Sequence, residues 1–205
     1  MTRKYRLLMT ALLAASAAAV SACSSTTDGA PSTSTSGASS SAPGSEQPTK
    51  VDHPLDPSAY LDKPCDLVPQ TLVGQLGFSN PEPTGADSAF GPGCGWIDVR
   101  TSHSRNFNVN IQVLKGKRNG GLASVYKTRD AGGYDFAEPT DVSGYPAAFA
   151  DTQDRRTEGK CSVYVGIADD LTFSAGVDGY DNAQDSCDAA KRIAAAVITT
   201  LQGGS

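Results

Sequence analysis

The clearest pattern in the chain is an alternation of apolar and polar residues over positions 107–114. Successive side chains of a β-strand point to opposite faces, so this alternation predicts a strand with one buried face. Residues 95–100, around Trp96, predict a strand before it, and the polar residues 101–106 predict the turn between the two. The apolar positions of the alternating strand are Phe107, Val109, Ile111 and Val113.

A second alternation covers residues 161–168 and is followed, after two residues, by an apolar stretch at 171–177. The two intervening residues are Asp169 and Asp170, which are typical of a tight turn. This region therefore predicts a second hairpin.

Three segments carry apolar residues at helical spacing. Residues 66–77 contain a proline near the first turn and end at a glycine, and residues 121–129 are followed by two glycines. Residues 185–201 predict the longest helix, with apolar residues on one face and Lys191 and Arg192 on the other.

Extended pieces at 134–137 and 146–150 are expected to pair across the turn-prone residues 142–146. Helices and strands in this order predict an α+β domain. We expect a single disulfide-stapled domain over residues 57–205, with a twisted, mainly antiparallel sheet of about five or six strands and helices packed on one face.

Residues 1–22 predict a lipoprotein-type signal peptide that is removed. Three cations precede a stretch of small and apolar residues, 7–20, which is shorter than the roughly 20 residues that a transmembrane helix needs. The Val-Ser-Ala-Cys run at 20–23 looks like a bacterial lipobox. That resemblance implies that the thiol of Cys23 receives a diacylglyceryl group and that a peptidase cuts before it.

Two other interpretations of this segment stay open. An ordinary secretory signal could be cut after Ala17 or Ala19, and Cys23 could lie near the junction by chance. If Cys23 is lipidated, its acyl chains suffice for stable anchoring, because each buried methylene contributes about 0.8 kcal/mol. The expected location is then the extracytoplasmic face of the cell membrane.

Residues 23–56 predict a lipidated N-terminus followed by a disordered tether. Ser, Thr, Pro, Gly and Ala dominate this stretch, and such a composition cannot bury enough apolar area to offset its chain entropy. O-linked sugars on its Ser and Thr residues are an open alternative to a bare tether.

The charge of the chain limits its partners. The formal net charge is −5, and subtracting the three cations Arg3, Lys4 and Arg6, with no acid before Cys23, makes it −8. An acidic body opposes nucleic-acid binding and attraction to anionic lipid headgroups, so membrane association is expected from the lipid alone. Plain solubility also explains the acidity.

Four cysteines remain once Cys23 is assigned to lipid, and an even number in an exported protein predicts two disulfides. Four cysteines allow three pairings, and spacing alone does not choose among them. We favour two local pairs, because each would join a helix start to a neighbouring strand. These pairs are Cys65 with Cys94 and Cys161 with Cys187. A four-cysteine zinc site is the alternative, but no C-x-x-C spacing supports it.

The sequence offers little catalytic chemistry. His53 lies in the predicted tether, and His103 lies in a predicted polar turn beside Ser102 and Ser104. Neighbours in a loop do not make a nucleophile and a base, which need a positioned hydrogen bond and a third orienting group. The sequence also lacks the common hydrolase, metalloprotease and phosphate-loop motifs. We expect no enzyme activity and no cofactor.

The densest group of oxygen ligands is Asp178, Asp181, Asn182 and Asp185. Calcium accepts such ligands, but the spacing does not match an EF-hand loop. A loop that caps the last helix through Asp185 or Ser186 explains the same residues, so no metal site is predicted.

Four aromatic residues are candidates for ligand contacts. Trp96 is the only tryptophan, and its position on a strand beside a cysteine favours the core over a ligand platform. Tyr145, Tyr164 and Tyr180 are candidates to line a pocket, although buried aromatics are expected in a domain of this size.

The ordered landmarks of residues 60–202 resemble an actinobacterial lipoprotein family, the domain of unknown function 3558. The resemblance implies an exported, lipid-anchored domain with two disulfides, and it brings no established activity. The layout is also distantly similar to extracellular sensor domains of mycobacterial receptor kinases, which favours the same disulfide order. The landmarks are Pro64-Cys65-Asp66-Leu67, Cys94-Gly95-Trp96, Val142-Ser143-Gly144-Tyr145-Pro146-Ala147, Cys161-Ser162-Val163 and Cys187-Asp188-Ala189-Ala190.

We expect this protein, anchored through Cys23, to have a binding or sensing function in the cell envelope, without catalysis. The partner is expected to be an envelope ligand or protein of unknown identity, captured on the sheet face or in a cleft between helix and sheet. An accessory structural or assembly role in an envelope or secretion complex is the second expectation. An envelope enzyme is the third.

Overall fold

The computed structural model describes residues 47–98 and 104–204. The predicted signal peptide, Cys23 with its predicted lipidation, most of the predicted tether and His103 lie outside the described residues. Within the described ranges, no helix is both long enough and apolar enough to cross a membrane.

A seven-stranded antiparallel sheet forms the centre of the domain, and its strand order is β1-β2-β3-β9-β8-β7-β6. The separate pair β4-β5 forms a small hairpin. The predicted α+β class is confirmed, with seven strands in the main sheet instead of five or six. The strands are β1 (Glu82–Thr84), β2 (Gly93–Asp98), β3 (Arg105–Ile111), β4 (Val113–Leu114), β5 (Lys117–Arg118), β6 (Phe136–Val142), β7 (Tyr145–Asp151), β8 (Cys161–Ala168) and β9 (Leu171–Asp178).

The alternating region at 107–114 forms two strands where one was predicted. The main-sheet strand ends at Ile111, and the next residues turn away through Lys115 and Gly116. Both turn residues have positive φ, 50° and 74°, which closes the tight β4-β5 hairpin. The strand around Trp96 begins two residues earlier than predicted, at Gly93.

Three α-helices flank the sheet: α1 (Gln70–Gln75), α2 (Gly121–Asp130) and α3 (Ala183–Leu201). The predicted helix at 66–77 is divided into a 3-10 turn, Pro64–Leu67, and the short α1. Pro69 explains the division, because the residue before a proline is driven to extended backbone, and Val68 has φ −109° and ψ 117°. Further 3-10 turns cover Ser58–Tyr60 and Arg156–Glu158.

The helices lie on both faces of the sheet, whereas the sequence predicted one. Alternate residues of β7 belong to different apolar clusters: Ala147 contacts the cluster of α1 and α3, and Ala148 contacts the cluster of α2. Alternate side chains point to opposite faces, so α2 covers the face that α1 and α3 leave free. The reason is that Leu122 and Val125 of α2 need an apolar partner, which β6 and β7 supply through small alanines.

Two disulfides tie the helical segments to the sheet. Cys65, beside α1, is bonded to Cys94 in β2, and Cys187 in α3 is bonded to Cys161 in β8. The order is the one favoured from the sequence. Both bonds lie on the α3 face, where they join its 3-10 turn and its long helix to neighbouring strands.

The folded unit begins before residue 57, so the predicted boundary between tether and domain is wrong. Val51 is only 3% exposed, and its backbone N–H donates to Asp169 at 2.9 Å. The N–H of Leu55 donates to the carbonyl of Ile167 at 2.7 Å. We call residues 47–56 the N-terminal strap. A single buried valine in a polar stretch gives no periodic signal, which is why composition alone assigned this segment to the tether.

Both edge strands of the main sheet contain a proline. Pro83 lies in the middle of β1, and Pro139 lies in the middle of β6. Proline has no N–H to donate, so it is tolerated at sheet edges and interrupts pairing with a further strand.

Candidate functional site

The α2 helix leaves half of its face of the sheet uncovered. The helix is fixed at its start by Asn119, whose amide nitrogen donates to Thr172 of β9 at 2.8 Å. At its end, the guanidinium of Arg129 donates to the carbonyl of Ala137 in β6 at 3.1 Å. The helix therefore lies over β6 to β9, and no described helix covers β1, β2 and β3 on this side. We call this uncovered half the open face.

Two cross-strand rows make up the floor of the open face. In the first row, Asn108 of β3 lies between Gly95 of β2 and Gly176 of β9, and Gly176 pairs with Ser162 of β8. In the second row, Asn110 lies between Gly93 and Ser174, and Ser174 pairs with Tyr164. A third row, beside these two, contains Ile97, Asn106 and Asp178.

Glycines let the asparagine side chains lie close to the sheet. The side chain of Asn110 occupies the space above Gly93, where a Cβ would collide with it. The side chain of Asn108 lies next to Gly176, and its Nδ2 is 3.2 Å from where a Cβ would be. Among the described residues, the atom nearest to a Cβ placed on Gly95 is a backbone oxygen 4.0 Å away, so they leave the space above Gly95 open. The floor is therefore nearly level in the first row.

The groups on the floor are amides and hydroxyls, and none of them carries a charge. Asn110 Nδ2 donates to Asn108 Oδ1 at 2.9 Å, which fixes the two amides relative to each other. An asparagine offers two donors and an acceptor with two lone pairs, so one shared bond leaves most of this capacity for solvent or a ligand. Such groups bind by hydrogen bonds and do not transfer protons at neutral pH.

A pair of tyrosines borders the floor where α2 begins to cover the sheet. The hydroxyls of Tyr134 and Tyr164 are 3.0 Å apart, and their ring centroids are 5.7 Å apart. Burial raises the pKa of Tyr164 well above its ordinary value, and the neighbouring Tyr134 and Asp151 act in the same direction. The phenol of Tyr164 is therefore a neutral hydrogen-bonding group at physiological pH.

A cavity of about 350 Å³ opens on the other side of the molecule, at the start of α3. Arg105 lies in its wall and is already engaged: it donates to the carbonyl of Leu76 at 3.2 Å and lies 3.5 Å from a carboxylate oxygen of Asp98. Its guanidinium also lies 5.2 Å from the ring centre of Phe78. The remaining lining mixes charges of both signs, so the cavity favours no single ligand class. That lining includes Tyr180, Asp181, Asp185, Asp188 and Arg192.

A smaller cavity, of about 280 Å³, lies where the N-terminal strap meets the β6-β7 turn and the end of α3. The hydroxyl of Tyr145 donates to the backbone carbonyl of His53 at 3.0 Å. Gln202 approaches the same hydroxyl at 3.5 Å. This arrangement gives the Gly-Tyr-Pro landmark a structural role, which is to hold the strap against the sheet.

The three tyrosines that were candidates for one pocket lie in three places. Tyr145 contacts the strap, Tyr164 lies under α2, and Tyr180 lies beside the cavity at Arg105. Burial raises the pKa of Tyr180, and the positive charges of Arg105 and Arg192 oppose that increase. The three therefore do not line one pocket, and the alternative of buried aromatics in a domain of this size describes them better. Their strand or loop positions were readable from sequence, but the faces to which they belong depended on where α2 packs.

Trp96 belongs to the core, as predicted. Its side chain is 0% exposed and is stacked on Phe107, with ring centroids 4.4 Å apart. It is therefore inaccessible to a ligand.

The acidic loop before α3 acts as a helix cap, but through a residue other than those predicted. Asn182 is the N-cap: its Oδ1 accepts from the backbone N–H of Asp185 at 3.0 Å. Asp178 is 3.3 Å from the ammonium of Lys160. Within residues 47–98 and 104–204, no group of three or more His, Cys, Asp or Glu side chains is arranged to hold a metal ion.

A charged cluster on the edge strand β6 is fully satisfied within the chain. The Arg156 guanidinium donates to both oxygens of Glu138, at 2.7 and 3.0 Å, and to Asp154 at 2.7 Å. These carboxylates raise the pKa of Arg156 further above its ordinary value, and its guanidinium lies 4.1 Å from the ring centre of Phe136. The cluster therefore fastens the β6 edge and leaves no free charge to bind a ligand.

The features of this fold define a class of protein. It is a two-disulfide α+β domain with helices on both faces of a seven-stranded antiparallel sheet, one half of which is the open face. Residues 18–200 match the family described as "Protein of unknown function (DUF3558)". The chain belongs to this family, as its cysteine, tryptophan and Gly-Tyr-Pro landmarks predicted. No curated protein and no solved structure was found to match it.

Proposed function

We propose that this chain is a lipid-anchored, extracytoplasmic binding protein that captures its ligand on the open face without catalysis. The observation that carries the proposal is the uncovered half of the sheet, where Asn108 and Asn110 form a level polar floor beside three strand glycines. Amides and hydroxyls bind by hydrogen bonds, so the chemistry of the floor favours capture over reaction.

Two further observations support an extracytoplasmic location. The chain forms two disulfides, and structural disulfides persist in oxidising compartments outside the cytoplasm. The lipobox-like run ending at Cys23 supplies the anchor in this proposal. The strap then connects the anchor segment to the sheet through Val51 and Leu55.

The alternative of an assembly role would need an exposed apolar patch. The large exposed apolar side chains of the described residues are Phe90 (68%), Ile97 (52%) and Leu114 (37%), and they lie on different segments. Single exposed apolar side chains are normal on a protein surface, so the polar open face is the better supported binding site.

The anchor is tested by Cys23→Ala. We expect this variant to be secreted into the medium or to retain its signal peptide, because the thiol that receives the lipid is gone. Metabolic labelling with an alkyne fatty acid should mark the wild type and not the variant. Normal processing and unchanged membrane association of the variant would refute the lipid anchor.

The binding site is tested by photo-crosslinking in cells that express the protein naturally. Replacing Ile97 with p-benzoylphenylalanine places a reactive group on the open face, and replacing Lys127 places it on the outer surface of α2. We expect an adduct from position 97 and none from position 127. Equal labelling at both positions, or none at position 97, would show that the open face is not the binding site.

A further inference from the structure

We propose that the open face binds an uncharged carbohydrate chain, because two ordered asparagine amides lie level with strand glycines on a floor free of charge. This inference rests on the proposed function, namely that the open face is the binding site. It adds the chemical class of the ligand.

The charge of the floor selects an uncharged ligand. The two rows that centre on Asn108 and Asn110 contain only glycine, asparagine, serine and one neutral tyrosine. A polyanion would find no cation there, and the acidic chain as a whole would repel it. The two rows themselves hold no carboxylate for a polycation. Of the nearby carboxylates, Asp178, opposite Asn106, is 3.3 Å from the ammonium of Lys160, and Asp151 accepts from Ser162 at 3.2 Å. An uncharged ligand therefore loses the least hydration free energy when it leaves water and binds to this surface.

The hydrogen-bonding pattern matches sugar hydroxyls. An amide presents a donor and an acceptor side by side, and a sugar hydroxyl both donates and accepts. The bond between Asn110 and Asn108 holds the two amides in place before any ligand arrives, which reduces the entropy lost on binding. The neighbouring hydroxyls are engaged within the chain: Ser162 donates to Asp151 at 3.2 Å, and the buried Ser174 accepts from Gln112 at 3.1 Å. The two asparagine amides therefore supply the groups that face a ligand.

The composition of the rows is unfavourable for a strand, and a binding role gives a reason for it. Asparagine and glycine are both depleted in strands, and a glycine within a strand often marks close approach of a ligand or another backbone. The first row places glycines on both sides of Asn108. The space that the described residues leave open above Gly95 lets a flat sugar ring approach the backbone directly.

A polypeptide ligand fits this surface less well. Extended peptides commonly bind by adding a strand to a sheet edge. Here Pro83 and Pro139 interrupt the two edges of the main sheet, and the two floor rows contain no aliphatic side chain to bind those of a peptide. We therefore do not expect a protein partner. The experiment must still be able to reveal one.

The test measures binding of the full chain, solubilised in mild detergent, to immobilised oligosaccharides. The probes are uncharged gluco-, manno-, galacto- and arabino-oligosaccharides of about four to six residues, with uronic-acid and sulfated chains as the charged contrast. We expect at least one uncharged probe to bind and the charged chains not to bind. Exclusive binding of charged chains, or of no probe up to millimolar concentration, would overturn the inference.

Three variants decide whether binding occurs on the open face. Gly95→Val places a Cβ where the nearest described atom is 4.0 Å away, and valine suits a strand, so the variant should keep the thermal midpoint of the wild type and weaken binding at least about tenfold. Asn108→Ala should weaken binding several-fold. Asn80→Gly removes an amide from an exposed loop position with φ of 57°, which glycine adopts readily, and should change nothing. Unaltered binding by Gly95→Val would refute the site.

The crosslinking result separates failure of this inference from failure of the proposed function. An adduct at position 97 together with no binding of any uncharged probe means that the open face binds a ligand of another class. A protein adduct at position 97 likewise overturns the carbohydrate and keeps the binding site. Absence of both signals overturns the inference and the binding site together.

Discussion

At the scale of single residues, Trp96 is the largest fully buried side chain of the domain. It is stacked on Phe107, which in turn meets the edge of Phe78 at 4.9 Å. Three aromatic rings in contact therefore join β2, β3 and the segment after α1. Offset-stacked and edge-to-face pairs add about 0.5–1.5 kcal/mol each beyond the burial of their area.

Replacing this ring should destabilise the domain strongly. We expect Trp96→Ala to lower the free energy of unfolding by about 3–5 kcal/mol, because the cavity cannot be filled by its neighbours. Ile97→Ala is the matched control: its side chain is 52% exposed, and its effect should stay within about 0.5 kcal/mol. Urea unfolding followed by circular dichroism measures both. Similar effects of the two variants would show that Trp96 is not in the core.

Tyr164 makes the stability of the domain depend on pH above neutrality. Its pKa is raised in the folded state, first by burial and then by Tyr134. Between pH 10, where an unfolded tyrosine ionises, and the folded-state pKa, the unfolded chain loses a proton that the folded chain keeps. The free energy of unfolding should therefore fall as pH rises above 10, by up to about 1.4 kcal/mol per pH unit from this residue.

The contribution of Tyr164 is isolated by comparing stability between pH 8 and pH 11 in the wild type and in Tyr164→Phe. The variant should lose less stability over this range, because it has no phenol to ionise. Tyr60→Phe, which changes a partly exposed ring, should follow the wild type. Parallel curves for the wild type and Tyr164→Phe would contradict the raised pKa.

At the scale of elements, the N-terminal strap should contribute to folding stability despite its irregular backbone. The side chain of Val51 packs against Gly166. Its Cγ2 lies 3.3 Å from the position that a Cβ on residue 166 would take. We expect Val51→Ala to lower the free energy of unfolding by about 1.5 kcal/mol, from roughly 0.8 kcal/mol per buried methylene group. The exposed neighbour Asp52 provides a control as Asp52→Ala. Thermal unfolding measures both effects. An unchanged midpoint for Val51→Ala would show that residues 47–56 belong to the tether and not to the folded domain.

Elements with strong local signals were predicted well. The hairpin of β8 and β9, with its Asp-Asp turn, and the helices α2 and α3 lie within about two residues of their predicted bounds. Their periodicity extends over eight or more residues, which is enough for burial on one face to determine the type of element. The three-residue β1 and the two-residue β4 and β5 are too short for any period.

The open face was only partly predictable. The sequence showed Asn108 and Asn110 on the polar side of the strand predicted from residue 107, and it placed Asn106 in the turn before that strand. It could not show that Gly95 and Gly176 lie on either side of Asn108, because that contact depends on the pairing of β3 with β9 across about 70 residues of chain. It also could not show which face α2 would cover.

At the scale of the whole molecule, the two disulfides connect the outer helical segments to the sheet. Each closes a loop of under 30 residues, with separations of 29 and 26. In the chain-entropy model each contributes roughly 3–4 kcal/mol to stability.

Their pairing is tested by peptide mapping without reduction. We expect one linked pair that contains Cys65 and Cys94 and another that contains Cys161 and Cys187. The double variant Cys65→Ala with Cys94→Ala should unfold at a lower temperature than the wild type and keep the second bond. Recovery of Cys65 linked to Cys161 or Cys187 would refute the pairing.

The prolines of the two edge strands have a consequence for crowding. If the protein is anchored as proposed, its copies share a two-dimensional surface, where they meet side by side far more often than in dilute solution. Sheets with free edges tend to join under such conditions and to grow into fibrils. Pro83 and Pro139 interrupt the hydrogen-bonding rows at which such growth would start, so the molecules can be densely packed and still remain separate.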